Sequence, residues 1–573
     1  MELHCGNLKM QYQKGFLRWI KAGEDEVLRM IYFALRDKNW NTMHGKIISE
    51  DINQQADHFS ISYEMLIEEK EVKMQWWATI QGNADNTIDF TLRGKVLSRF
   101  EKNRAGFCVL HPIRECAGKE VLIKHDNGTI EGYLFPVYIS PHQPFKNISA
   151  MEWRLQNNTT VNLQFEGDVF ETEDQRNWTD YSFKTYSTPL NLPFPVTMHP
   201  GDEISQSVRI RVEGAKYFPT TPDNITITAG KDIFPVPSIG VSRSSERNNH
   251  YQGSLEFLSA IGFSHYRSEI RLSLPAWEQT FHDCIRESGW IKAPLEIALF
   301  VSDDTVDGIR KFIDIAKKAS VIKQIILLEE NAGCMSNALL KKVFSQLSSS
   351  LNHVLIGSGT DHYFTALNRS DLDTSMLDFV SYSMNPQVHA SDDISLIENL
   401  EGQAATVKTA LYKYGKPVHV TPVTLKTRYN TDAKEKSDKN LPSADERQQT
   451  PFNAAWTLGS LKYLIESGVS SITYFETEGI RGLISDNKNF KTFPVLELFK
   501  AICGKDVVYI RKCTNSHPLS CNAIIMRRDE LEFLMIANHT HEAFQVDFIN
   551  ITMEKISLQV KALEIATYNY SSK

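Results

Sequence analysis

The rhythm of apolar residues changes twice along this chain of 573 residues, and those two changes bound what it can fold into. Up to about Pro237, apolar and polar residues alternate in short runs such as HFSISYEMLI, TIDFTLRGKVL, TIEGYLFPVYI, VNLQFEGDVF and QSVRIRVEG, separated by Gly, Asn and Asp turns. Alternation at a period of two puts every second side chain on one face, the mark of half-buried strands in an all-β sandwich. Beyond a proline-containing joint at residues 234–240 the runs become continuously apolar and alternate with helical stretches. HYRSEIRLS, LEIALFVS, KQIILLEE, HVLIGSG, DFVSYSMN, KPVHVTPVTL and SITYFETE read as seven buried parallel strands, with helices at 305–319, 336–349, 393–414 and 452–466. This predicts a (β/α)8 TIM-like barrel closed by a short eighth strand near 481–484. A doubly wound open sheet is the alternative, and the chain has no Gly-rich nucleotide fingerprint to go with it. From about residue 506 the alternation returns. The expected domains are an N-terminal β-sandwich (1–235), the barrel (236–505) and a small C-terminal β domain (506–573).

Residues 165–190, FEGDVFETEDQRNWTDYSFKTYSTPL, crowd Glu171, Glu173, Asp174, Arg176, Asn177, Asp180 and Lys184 around Trp178. That many charges are costly in a core. A strand delivering them beside one aromatic plate suits a polyol, whose hydroxyls take carboxylates, amides and Arg while the indole stacks on C–H faces. A charged surface turn is the plainer reading.

In a barrel the chemistry sits on the loops at the C-terminal ends of the strands. Counting from HYRSEIRLS, those ends carry Asp303-Asp304, Glu329-Glu330, Asp361-His362, Asn385 with Gln387 and His389, Lys426 with Arg428, and Glu476-Thr477-Glu478 followed by Arg481. A structural barrel needs no such ring. Glu476, after SITYF, is expected partly buried and available for acid–base work, or else ion-paired with Arg481. His389 suits a base or an electrophile, or plain hydrogen bonding. At least one of Asp303 and Asp304 is expected to cap the next helix. The polar stretch 426–450 reads as a mobile flap rooted at Arg428.

With 42% hydrophobic and 23% charged residues the composition is that of an ordinary globular protein. The net charge of −8 without a basic stripe argues against nucleic acid and anionic membrane as partners. No apolar run spans a bilayer and the N-terminus lacks a signal-peptide pattern, so a cytoplasmic protein is expected. The eight cysteines form no CxxC pair and read as reduced thiols. No cofactor and no dedicated metal site is expected, since HExxH and other tight His clusters are missing. Without a GxSxG elbow, an α/β-hydrolase serine esterase is also unexpected. The sequence leaves the oligomeric state open.

The 165–190 run resembles the D-apionate lactonase family. So do NRAGFCVLHP (103–112), FPVYISPHQPF (135–145), GFLRWIKAGEDEVLRMIYFALRD (15–37), IGSGTDHYFTALNR (356–369), YSMNPQVHASDD (382–393), VTPVTLKTRYN (420–430) and ITYFETEGIRG (472–482). The resemblance extends over nearly the whole chain. Where the family pattern reads ASFKTYC, this chain has Tyr181 and Ser187, so a thiol there is not its nucleophile. The resemblance implies a sugar-acid lactone as small-molecule partner, D-apionolactone opened to D-apionate in bacterial D-apiose catabolism. Such hydrolysis needs a base for water and a positive or N–H group for the oxyanion. A carboxylate or His389 is the expected base and Arg428 or Lys184 the electrophile, with Glu476 and Asp361 completing the catalytic set. Glu173, Asp174, Arg176, Asn177, Trp178, Asp180, Lys184, Asn385, Gln387 and Glu330 are the expected substrate contacts. The alternatives are a glycoside hydrolase with Glu476 as nucleophile, its position resembling the seventh-strand nucleophile of barrel glycosidases, and a non-catalytic carbohydrate-binding protein.

Overall fold

Alternation in the first two hundred residues is realised as strands whose odd and even side chains part cleanly between core and solvent. In Thr160–Glu166, for instance, Val161, Leu163 and Phe165 are buried while Gln164 and Glu166 are exposed. A computed structural model describes residues 1–156, 158–216, 224–246, 252–428, 444–485, 489–504, 506–528 and 531–570. They group into two units. Among the described residues, one is built from 1–176 and 181–216, the other from 177–180 and those from 224 onwards.

Apart from one α-helical turn at Ile113–Cys116, the first unit is built of strands. Among the described residues eighteen strands, from Glu2–Cys5 to Glu203–Glu213, form one antiparallel ladder network around a core that includes Trp76, Phe90, Phe107, Trp153, Phe170 and Phe183. Here the charged run at 170–176 takes an unexpected place. Phe170–Asp174 and Ser182–Tyr186 are paired strands buried at every residue. Burial is tolerated because the charges satisfy one another. Arg176 Nε and Nη2 reach Asp174 at 2.9 and 2.7 Å, and its remaining donors go to the carbonyls of Val137 and Pro136, each at 2.9 Å. Lys184 pairs with Glu173, and Glu171 accepts from the Tyr186 hydroxyl at 2.6 Å. Asp174 and Arg176, expected to contact substrate, therefore form an internal latch: a rule that charges stay outside fails where an Arg finds a bidentate partner and two free carbonyls.

The second unit contains the parallel barrel. Its strands are Ser238–Ser242, His265–Arg271, Leu295–Val301, Ile322–Glu329, Leu355–Gly359, Val380–Met384, Val418–Val423 and Ser471–Glu478, each paired in parallel with the next. The ring closes because Ser238–Ser242 pairs with both His265–Arg271 and Ser471–Glu478. The expected closing strand is thus misplaced. Gly482–Ile484 is only an outer extension on Ser471–Glu478, and the true first strand hides in the proline joint, five residues too short to show a pattern. Every strand number moves up by one, and Glu476 lies on the eighth.

Ala298, Phe300, Ile326, Leu328 and Phe379 form one buried apolar cluster. Buried polar groups also pair with one another. Thr421 Oγ1 donates to the fully buried Glu296 at 2.8 Å, His265 Nε2 lies 2.7 Å from Thr473 Oγ1, and the His419 ring stacks on Phe379 at 3.8 Å.

The last strands form a seven-stranded sheet, and it contains Ile225–Phe234, expected in the N-terminal domain. That strand runs parallel to Phe544–Ile549 and antiparallel to Val507–Asn515. An alternating strand reads alike whichever sheet it joins, so sequence could not assign it. Glu532, with no exposure, anchors the sheet by accepting from Arg511 at 2.7 Å, Tyr509 at 3.0 Å and Tyr570 at 2.7 Å. Helix Pro451–Ile465 is buried on nearly all sides and packs on both helix Leu400–Tyr414 and strand Cys521–Arg528. All eight cysteines are free thiols.

Two outcomes follow from this packing. Replacing Arg176 by Ala strands a buried carboxylate, so stability should fall by about 3–5 kcal/mol, read as a drop in the urea midpoint; an unchanged midpoint would remove the latch from the fold. Burial also draws His111 and His539 down to about 3 and His419 to about 4, from an ordinary value of 6.5. The folded protein holds these rings neutral where the unfolded chain binds protons, so stability is lost as pH falls below 6.5 towards the folded values. The urea midpoint should be lower at about pH 5 than at about pH 7.5, and His111→Gln, which keeps a partner for Thr185, should narrow the gap; a wild-type midpoint independent of pH would contradict it.

Candidate functional site

The second barrel strand shows why one face of the mouth is charged. In His265–Arg271 the outward Tyr266 donates to Glu287 on helix Trp277–Ile291 at 2.9 Å. By alternation His265, Arg267, Glu269 and Arg271 form the other column, rising from floor to mouth. Arg267 reaches Glu269 at 2.8 Å and Asp361 at 3.3 Å, Arg428 reaches Asp361 at 2.8 Å and also pairs with Glu269, and Arg271 lies 3.3 Å from Glu269. Burial would raise the Glu269 carboxyl, but Arg428, Arg267 and Arg271 outweigh it and hold the group well below the usual carboxylate range. Asp361 and Arg428, both expected in the site, are thus brought together. Arg267, Glu269 and Arg271 were missed. Their signal was available: a buried parallel strand should read as continuous hydrophobe, and H-x-R-x-E-x-R does not.

Glu476 is placed by a backbone irregularity. Phe475 adopts a positive φ of 54°, and the pairing slips so that Ser242 stands opposite Glu476. Such a bulge re-aims the next side chain. The Glu476 carboxylate, 8% exposed, accepts from the backbone N–H of Ser245 at 2.9 Å and from its hydroxyl at 3.0 Å. Arg481 lies 3.4 Å away but gives its aligned hydrogen bond to Ser245 Oγ at 2.8 Å. Ser242 also pairs with Arg267, so Arg267 and Glu476 sit level on either side of the first strand.

The third constellation joins residues two hundred positions apart. His389 Nδ1 meets Asp180 Oδ2, and Asn399 Nδ2 donates to Asp180 Oδ1 at 2.8 Å. The half-buried Trp178 ring lies edge-to-face with His389 at 5.4 Å, with Arg369 over its ring at 5.4 Å. Asn368 donates to Asn177 at 2.9 Å, and Thr179 donates to the Asn385 carbonyl at 3.2 Å. Contact is tight enough that a Cβ on Gly402 would come within 2.2 Å of the Thr179 carbonyl oxygen. The backbone carbonyl of Asn385 and the side chains of Asn177 and Asp180 are therefore held by protein partners. Gln387 donates to the Leu425 carbonyl and to Asp445, both at 2.6 Å, and Glu330 accepts from Ser273 at 2.7 Å. Glu173 and Lys184 belong with the first unit, paired to each other. The cap after the third strand is Ser302 with Thr305, leaving Asp303 and Asp304 exposed in the first turn. Residues 429–443 of the expected flap lie outside the described residues.

Among the described residues no three His, Cys, Asp or Glu side chains converge in a metal-holding arrangement. Chemically, the mouth offers an imidazole with one nitrogen fixed by a carboxylate, guanidinium groups at the ends of the second and seventh strands, and a hydrogen-bonded Glu.

Comparison with known proteins gives this geometry a context. A family model described as the N-terminal domain of D-apionate lactonase matches residues 1–215, and one described as its TIM barrel domain matches residues 239–506. The D-apionate lactonase of Brucella anthropi is 25% identical over 588 aligned positions, covering 97% of this chain and 96% of that protein. Among solved structures, the glycoside hydrolase family 30 subfamily 8 xylanase Xyn30A from Clostridium acetobutylicum aligns with 61% of this chain and 99% of its own at 11% identity, with a TM-score of 0.43. AbfB, a family 51 α-L-arabinofuranosidase from Bifidobacterium longum, aligns with 62% of this chain and 98% of its own at 13% identity, with a TM-score of 0.42. Matched through both its all-β and its barrel portions, the chain belongs to the D-apionate lactonase family.

Proposed function

We propose that this protein opens a sugar-acid lactone with water, taking D-apionolactone to D-apionate in bacterial D-apiose catabolism, in the cytoplasm. The observation that carries the reading is the pairing of His389 Nδ1 with Asp180 beside the half-buried Trp178. A carboxylate on Nδ1 fixes the tautomer and leaves Nε2 as the base. In this mechanism Nε2 takes a proton from water as its oxygen attacks the lactone carbonyl. Arg428, steered by Asp361, neutralises the oxyanion. As the ring C–O bond breaks, the imidazolium returns the proton to the leaving alkoxide. Trp178 supplies the flat face for the sugar ring, and Glu476, kept as an acceptor by Ser245, takes a substrate hydroxyl. The scaffold for this chemistry is read as an N-terminal β-sandwich, a (β/α)8 barrel and a C-terminal β domain to which strand Ile225–Phe234 contributes.

The glycoside hydrolase reading loses support from the strand count. With Ser238–Ser242 first, Glu476 lies on the eighth strand, and residues 424–428, which directly follow the seventh, carry no carboxylate. No helix among the described residues is long and apolar enough to cross a membrane.

Acid release from D-apionolactone should be rapid with purified protein, and His389→Gln, which keeps a donor for the buried Asp180, should lower kcat about 10²–10⁴-fold; wild-type turnover in that variant would remove the histidine as base. Asp180→Asn should lower kcat more than it raises KM. Glu476→Gln should leave measurable lactone turnover and raise KM, and no aryl glycoside should release nitrophenol. Glycoside cleavage abolished by Glu476→Gln would establish the glycosidase instead.

A further inference from the structure

The first unit carries an open sheet edge. Strands Glu120–His125 and Ile130–Leu134 form a hairpin, and among the described residues Ile130–Leu134 pairs with no other strand. Native edges are usually blunted by Lys, Pro, a bulge or a covering element, because a row of open N–H and C=O groups invites another strand. Ile130–Leu134 reads IEGYL, with no Lys and no Pro, and its ladder to Glu120–His125 runs without a slip. Its outer face is apolar as well: Ile130 is 64%, Leu134 61% and, on the neighbouring strand, Leu122 46% exposed. Their partners in the ladder show that they share one face, with Leu122 opposite Gly132, Glu120 opposite Leu134 and Lys124 opposite Ile130. The opposite face is different: Glu131 and Tyr133 stand across from the buried Ile123 and Val121, and Tyr133 packs on Phe145.

We propose that this edge is the dimer interface, formed by a second copy of the same strand pairing antiparallel about a two-fold axis at Gly132. The register is self-complementary. With Gly132 on the axis, Ile130 of each copy stands opposite Leu134 of the other, so both apolar pairs form at once. Each cross-strand row then reads Glu120, Leu134, Ile130, Lys124 across the two copies, acid at one end and base at the other. A shift of two residues leaves Ile130 or Leu134 without an apolar partner. Gly132 suits the axis for a second reason. Without a side chain it leaves room for Leu122 to lean over it, within 3.7 Å of where a Cβ would stand. The two Leu122 side chains then cover the axis from either side, strands being ~4.8 Å apart. A closed isologous contact of this kind buries the edge once and leaves no further edge to propagate. An outside peptide of another protein would also fit an open edge, but the doubled pairing of Ile130 with Leu134 and the matched charges at the row ends favour a second copy.

Sedimentation velocity of the full-length protein over a dilution series tests this. The wild type should run as a dimer that dissociates only at the lowest concentrations. Leu134→Lys and Ile130→Lys each place two charges in the apolar rows and should weaken the dimer more than tenfold. Both positions are exposed, so the variants should keep the wild-type urea midpoint. Backbone amides of 130–134 should exchange more slowly in the dimer than in the diluted monomer. A wild type that is monomeric at every concentration, or a dimer that both Lys variants leave intact, would overturn the proposal. So would slowed exchange at 130–134 only on adding another protein, which would assign the edge to a foreign strand.

Discussion

The closure of the barrel by Ser238–Ser242 is the contact on which the site depends. Five residues, hydrogen-bonded on one side to the strand bearing Arg267 and on the other to the strand bearing Glu476, set those two groups at one height. They also fix the direction in which every later loop leaves the ring. Parallel strands gain little individually, and it is the completed ring that leaves no open edge. The slip at Phe475 is the local adjustment within this closure: a straight ladder would bring Phe475 opposite Ser242 in place of the carboxylate.

Charge is managed differently in the two units. In the all-β unit Asp174, Arg176, Glu173 and Lys184 neutralise one another below the surface. At the barrel mouth the same residue types are left in an uneven balance, with Arg267, Arg271 and Arg428 around Glu269 and Asp361. Carboxylates held by several guanidiniums make poor bases, because the positive neighbours favour the ionised form. This directs the search for a base to His389, whose neighbour is an acid.

Much of the architecture was legible in the sequence because periodicity reports faces directly. The seven long barrel strands, the antiparallel start and the antiparallel end all followed from it. What escaped was whatever periodicity does not encode. SIGVS is too short to show a period and lies beside two prolines, so it passed as a joint and displaced the strand numbering. Strand Ile225–Phe234 has a clear pattern but no mark of its destination. Asp361, Arg428, His389 and Glu476 were singled out by listing polar residues after strands, on the ground that the C-terminal face is where a barrel can expose them. The Asp180–His389 pairing is invisible at the level of the chain: 209 positions separate the two, and only the fold chooses the partner. The polar run around Trp178 misled in part, since its composition is the same whether its charges meet a ligand or one another.

The composition of the C-terminal sheet has a consequence for how the protein is made. Strand Ile225–Phe234 emerges from the ribosome before the barrel, whereas its partners Val507–Asn515 and Phe544–Ile549 come after it. At about 5–20 residues per second, the intervening stretch occupies translation for roughly 15–55 seconds. Throughout that time the barrel can be completed while one strand on its leading side waits unpaired. The nascent chain therefore carries an open strand until Val507–Asn515 and Phe544–Ile549 have been made and can cover it from both sides.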